Sequence, residues 1–199
     1  PQNAKLRLRL AEFATKAGNE EAAVTQYRSL VEESPRVPRY RALLGEALLL
    51  TGQEEAGQEQ LQEATNLNPL SKKVQTEVGD ALRDAGRLKA AAARYERAVE
   101  LEPQNQLYNL ELGKIYSTLS TANGQDEAYF GKAEKALTRA ARLGPVPGRA
   151  DARESALLAL GDLYYRWDRE EEAAATYQQV LKVDPNSQEA ASRRKAIQG

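Results

Sequence analysis

The chain has 199 residues, 41% of them hydrophobic, and its 28 Lys and Arg against 29 Asp and Glu leave a formal charge of −1. That balance argues against a general nucleic-acid or anionic-membrane binder, which needs a basic stripe to displace counterions. With no Cys and no His there are no disulfides, thiol nucleophiles, Cys/His zinc sites or imidazole proton shuttles, and the compartment cannot be read from redox chemistry.

No apolar run approaches the length of a membrane span, and the N-terminus lacks the charged-then-apolar order of a signal peptide. A start at Pro1 without methionine reads as a fragment trimmed from a longer chain.

In chain order, the first three segments share one punctuation. Residues 4–37 carry Ala11, the turn glycine Gly18, then Ala23, Tyr27, Leu30 and Pro35. Residues 38–71 repeat it as Gly45, Gly52, Gly57, Leu61, Ala64 and Pro69, and residues 72–105 as Gly79, Gly86, Ala91, Tyr95, Ala98 and Pro103. Gly45, Gly79 and Gly113 are each 34 residues apart, a period that marks stacked helix-turn-helix units. Within each second helix the spacings of four and three put a small residue, a large one and another apolar one on a single face. The turn glycine lets the chain leave the first helix in the left-handed conformation, and the proline stops the second.

The fourth segment, 106–147, loses time. Gly113 is followed by Ala133 after twenty residues where the other units use twelve, and the extra eight fall in "STLSTANGQDEAYFGKAEKA". Asn123-Gly124 is a turn signal there. Beside it, Tyr129 and Phe130 either close the ends of lengthened helices or form an edge contact for a partner. In "LGPVPGRADARESALLALG", Pro145, Pro147 and Gly148 delay the next helix to near Arg149 or Ala150, and that helix is expected to run longer than usual. The last full unit, 154–187, restores Gly161, Ala173, Tyr177, Val180 and Pro185. Residues 188–198 then have the composition of a polar helix that covers a final apolar face. Repeats stand on both sides of every irregularity, so residues 1–199 read as one domain.

On these residues the chain resembles the tetratricopeptide repeat family, with a small residue at places eight and twenty of each unit, an aromatic or leucine at twenty-four and proline at thirty-two. The large aromatic usual at place four is absent; Arg7, Arg41, Gln75, Asn109 and Leu157 stand there. An arginine can lay its stem across a helix and keep its head wet. The resemblance implies an all-α, right-handed superhelical solenoid of antiparallel helix pairs with a C-terminal capping helix.

Places five, nine and twelve of the first helices form a second stripe beside the packing face. In the family, as the resemblance implies, this stripe lines a concave groove that binds extended or helical peptides. Here it reads Leu8, Glu12 and Thr15; Ala42, Glu46 and Leu49; Thr76, Asp80 and Arg83; Leu110, Lys114 and Ser117; and Leu158, Asp162 and Tyr165. Place nine is acidic in four of the five units, with Lys114 the exception. Such a wall suits a partner protein or peptide segment with basic residues on an apolar strip. The family's clamp for the carboxylate tails of chaperones is disfavoured, since of the residues offered to it in the first three units only Lys73 matches.

Carboxylate pairs such as Glu32-Glu33 lie at exposed helix ends, no phosphate loop or metal-ligand spacing occurs, and no catalysis and no cofactor are expected. The expected role is an interaction scaffold or adaptor. The alternative is an assembly subunit that self-associates or joins a larger complex through its edges and the long fourth hairpin. Neither reading calls for nucleic acid or membrane insertion.

Overall fold

The computed structural model describes residues 2–122, 124–145 and 152–198, and among these the regular elements are all helices joined by short turns, with no strand. The helices are α1 (Gln2–Lys16), α2 (Glu20–Glu33), α3 (Pro38–Leu50), α4 (Glu54–Leu67), α5 (Lys72–Asp84), α6 (Leu88–Leu101), α7 (Gln106–Leu119), α8 (Glu127–Arg142), α9 (Arg153–Arg166), α10 (Glu170–Val183) and α11 (Gln188–Gln198). They fall into two compact units, Pro1–Leu101 and Glu102–Gly199.

In the first unit, α1 with α2, α3 with α4 and α5 with α6 form the pairs that the 34-residue period implies. Local chemistry sets their ends. Asn19 accepts from the Ala22 N–H at the start of α2, Ser71 accepts from Val74 at the start of α5, and Pro38 occupies the first turn of α3. Each first helix ends on a residue with positive φ: Gly18 at 71°, Gly52 at 77° and Gly86 at 75°. The following N–H groups of Asn19, Gln53 and Arg87 reach five residues back, to the carbonyls of Ala14, Leu48 and Leu82. That is the bonding that closes a helix through a left-handed residue.

The second unit holds the pairs α7 with α8 and α9 with α10, followed by α11 against α10. Its last pair uses the same exit, since the Arg169 N–H reaches the Tyr164 carbonyl, but the left-handed position is held by Asp168 at φ 54°. The small residue at place eight exists for contact. A Cβ on Gly161 would stand 2.5 Å from Cε1 of Tyr177, so the ring of the second helix lies directly on the first helix's backbone.

Three of the polar residues at place four, where the family has an aromatic, reach the turn that precedes their own helix, whereas Arg7 donates to Gln26 and pairs with Glu33. Arg41 donates to the Pro35 carbonyl at 2.9 Å, Gln75 to Pro69 at 2.8 Å and Asn109 to Pro103 at 3.1 Å. These bonds satisfy carbonyls that the proline turn leaves outside the helices.

The added residues of the fourth hairpin enter the connection between α7 and α8 and the length of α8, which has 16 residues against 14 for α2 or α4. Asn123 lies outside the described residues, whereas Gly124 has φ 99° and Asp126 caps α8 by accepting from Ala128 and Tyr129. Phe130 is buried, its ring 4.7 Å from that of Trp167 and 6.2 Å from that of Tyr164. Half-buried Tyr129 stacks on Tyr116 at 5.9 Å. Of the two roles open to this pair, the Phe130 ring packs against the end of α9, through Trp167 and Tyr164, while Tyr129 stays with Tyr116 of its own hairpin.

The expectation that the next helix is unusually long is also corrected, because α9 starts at Arg153 and has 14 residues. Pro147, Gly148, Arg149 and Ala150 lie outside the described residues. Buried Gln106 joins the two sides of this connection. Its amide nitrogen donates to the carbonyls of Ala140 (3.2 Å) and Leu143 (3.0 Å), and its oxygen accepts from the Ala152 N–H (2.9 Å).

Candidate functional site

Within the first unit, α3 and α5 enclose a cavity of about 310 Å³ lined by Arg39, Ala42, Leu43, Glu46, Glu77 and Asp80. Spacings of three, one and three put the four α3 residues on one helical face, and three residues separate the two from α5. The floor is apolar, formed by buried Ala42 and half-buried Leu43, and the walls carry three carboxyl groups.

These carboxyl groups are not equivalent. Asp80 accepts from the Tyr95 hydroxyl at 2.6 Å and pairs with Arg83 at 2.9 Å. The matching acid of the last pair, Asp162, accepts from the Tyr177 hydroxyl at 2.7 Å and pairs with Arg193 at 2.7 Å. Both tyrosines stand at place twenty-four, fifteen residues after the acid they serve. At the corresponding position behind Glu46 the chain has Leu61, which has no donor. Among the described residues the Glu46 carboxyl makes no hydrogen bond or ion pair. Burial, reinforced by Asp84, Glu20 and Asp80, pushes it up to about 7. Burial also raises Glu77 above the ordinary carboxylate range.

The structure keeps only part of the expected stripe at this cavity. Ala42, Glu46 and Asp80 line it, and Glu12 borders it through a 3.2 Å ion pair with Arg39. Leu8 packs on the core of the first unit, and Thr76 turns its hydroxyl back to the Lys73 carbonyl. Arg83 is engaged by Asp80 and Asp84. Leu49 is buried, and its side chain fills the space a Cβ on Gly57 would need, so it belongs to the pair's interior and not to an open groove.

In the second unit, Leu110 and Ser117 are likewise buried, and Ser117 accepts from the Arg166 guanidinium. Lys114 pairs with Glu111 at 3.0 Å, Leu158 packs on the core around Tyr177, and Tyr165 is exposed. The residues that sequence reasoning missed are Arg39, Leu43 and Glu77, at places two and six. The i, i+4 spacing of Arg39 and Leu43 is the sequence signal that puts both on one face of α3.

Comparison with known proteins follows the same lines. Residues 79–120 match the family described as TPR repeat, and residues 154–187 match the one described as tetratricopeptide repeat. No curated protein matches the chain. Among solved structures, a thermophilic TPR protein of Thermus thermophilus is 21% identical, with 98% of each chain covered and a TM-score of 0.60. PilF of Pseudomonas aeruginosa is 18% identical over 96% of this chain and 89% of its own, at 0.63. YrrB, described as a TPR protein with an unusual peptide-binding site, is 14% identical over 95% of this chain and 90% of its own, at 0.61. At such identities the likeness shows the fold, an all-α solenoid of helix pairs.

Proposed function

The chain is a tetratricopeptide repeat protein, and on that premise we propose that it is an interaction scaffold whose α3/α5 cavity takes a lysine or arginine side chain from an apolar segment of a partner protein. The observation that carries this reading is Glu46. Its side chain is half-buried in the cavity near Asp80, and it lacks the hydroxyl donor that Asp80 and Asp162 receive from their own second helices. A desolvated carboxyl without an internal partner is costly, and an incoming ammonium or guanidinium supplies both the charge and the hydrogen bonds. Ala42 and Leu43 provide the apolar contact beside it. The peptide-binding site named for YrrB supports the class of ligand.

Binding through Glu46 is proton-linked. The cation prefers the ionised carboxyl, so affinity weakens as the pH falls below about 7, and complex formation near neutrality releases a proton.

The test is titration of apolar peptides bearing Lys or Arg, and of the same peptides with Glu in those places, onto the parent and onto a Glu46→Lys, Asp80→Lys variant. Circular dichroism checks the fold of each. The reading requires that the basic peptides bind the parent, weaken by about tenfold or more on the variant, and weaken as the pH falls. Equal binding of both peptide sets, or an unaffected variant, overturns it. Assembly through the fourth hairpin loses support from the burial of Phe130.

A further inference from the structure

The first helix carries an apolar stripe that its successors keep covered. In α3 the residues at places three, seven and ten are Tyr40, Leu44 and Ala47, and they pack in the core built by α1, α2 and α3. In α5 the same places are Val74, Val78 and Ala81, and in α9 they are Ala156, Leu160 and Leu163, all buried. In each case the second helix of the preceding pair, α2, α4 or α8, packs against that first helix. In α1 the places hold Leu6, Leu10 and Phe13, and they are 63%, 55% and 70% exposed. Spaced four and three apart, they form one continuous strip of large apolar side chains.

Charge identifies what fits. Lys5, Arg9 and Lys16 are exposed along one flank of the strip, and none of them pairs with a carboxylate among the described residues. The helices that cover the equivalent strips inside the first unit are acidic: α2 carries Glu20, Glu21, Glu32 and Glu33 against Arg28, and α4 carries Glu54, Glu55, Glu59 and Glu63 with no Lys or Arg. A second copy of the chain is disfavoured, because two α1 helices meeting antiparallel through this strip set the same basic flank against itself.

We propose that the Leu6, Leu10 and Phe13 face of α1 docks an amphipathic helix of a partner protein, one whose apolar residues recur at i, i+4 and i+7 and whose flank carries Glu or Asp. The apolar strip supplies the affinity, and Lys5, Arg9 and Lys16 set the orientation of the incoming helix and select for acid. This surface is distinct from the α3/α5 cavity and selects the opposite charge, so either can fail without the other.

The probe is a labelled helical peptide of roughly 16 residues with Leu at i, i+4 and i+7 and a Glu-lined flank, followed by fluorescence anisotropy against the whole chain. Its counterpart carries Lys on that flank. The acidic peptide is expected to bind the parent, to lose about tenfold or more on Phe13→Asp, and to weaken on the Arg9→Glu, Lys16→Glu pair, which in turn accepts the Lys peptide. These side chains are exposed, so melting curves near the parent's are expected for all variants. Equal binding of the two peptides, or binding unchanged by Phe13→Asp, overturns the proposal. So does a dimer in sedimentation that Phe13→Asp converts to monomer, since the face would then be taken by a second copy.

Discussion

The Tyr95 hydroxyl donates to Asp80 across the helix pair at 2.6 Å, and Leu61 occupies the position from which the same donor would reach Glu46. One acid is therefore served by its own fold, and its neighbour one repeat earlier is not. Tyr95→Phe removes the donor without changing the ring that packs on Gly79. Urea denaturation is expected to show a loss of about 1 kcal/mol, below the usual range for a bond to a charged group because Asp80 is partly solvated and retains Arg83. No loss at all would mean that solvent serves Asp80 equally well.

Glu46 makes stability depend on pH in an unusual direction. Its folded value, about 7, lies above that of an unfolded glutamate, so the folded state holds the extra proton between the two. The contribution is fully present below the unfolded value, near 4.5, and is lost as the pH rises through about 7. Glu46→Gln keeps the shape without the charge. Melts at pH 5 and pH 8 are expected to show the variant gaining on the parent at the higher pH, by roughly 2–3 kcal/mol at most. A difference independent of pH would remove Glu46 from the titration.

Asp168 holds a left-handed backbone where three other first helices end in glycine. Aspartate tolerates that region better than most residues but does not occupy it freely. Asp168→Gly is expected to raise the melting temperature, by a margin equivalent to about 0.5–1 kcal/mol. The measurement is a calorimetric scan of parent and variant in the same buffer.

Gly161→Ala moves the other way. The added methyl meets the Tyr177 ring, which is anchored by its bond to Asp162, so neither side retreats easily. A loss of about 1–3 kcal/mol is expected in chemical denaturation, and a neutral substitution would show that the pair can open.

The helix pairs were legible in the sequence because their marks are periodic. Gly45, Gly79 and Gly161 recur where two helices touch, and Gly18, Gly52 and Gly86 recur where one ends. Asp168 broke the second pattern and was invisible as a left-handed residue, since nothing but its register distinguishes it from an ordinary turn aspartate. The acidic character of the stripe was legible, but its division was not. Asp80 and Asp162 are each served by a hydroxyl fifteen residues away, a separation set by how the pair folds and not by either helix's own period. Leu49, Leu110 and Ser117 failed as groove residues for a related reason, because place twelve and place five sit at the border of the packing face and their burial is decided by the neighbouring helix.

Gln106 holds both banks of the junction that joins the fourth pair to the fifth, and it does so with one side chain that bonds Leu143 on one side and Ala152 on the other. The register of the last pair is consequently carried by that amide as well as by the covalent chain. Removing the glutamine would leave the covalent link intact and take away the side chain that holds Leu143 and Ala152 together.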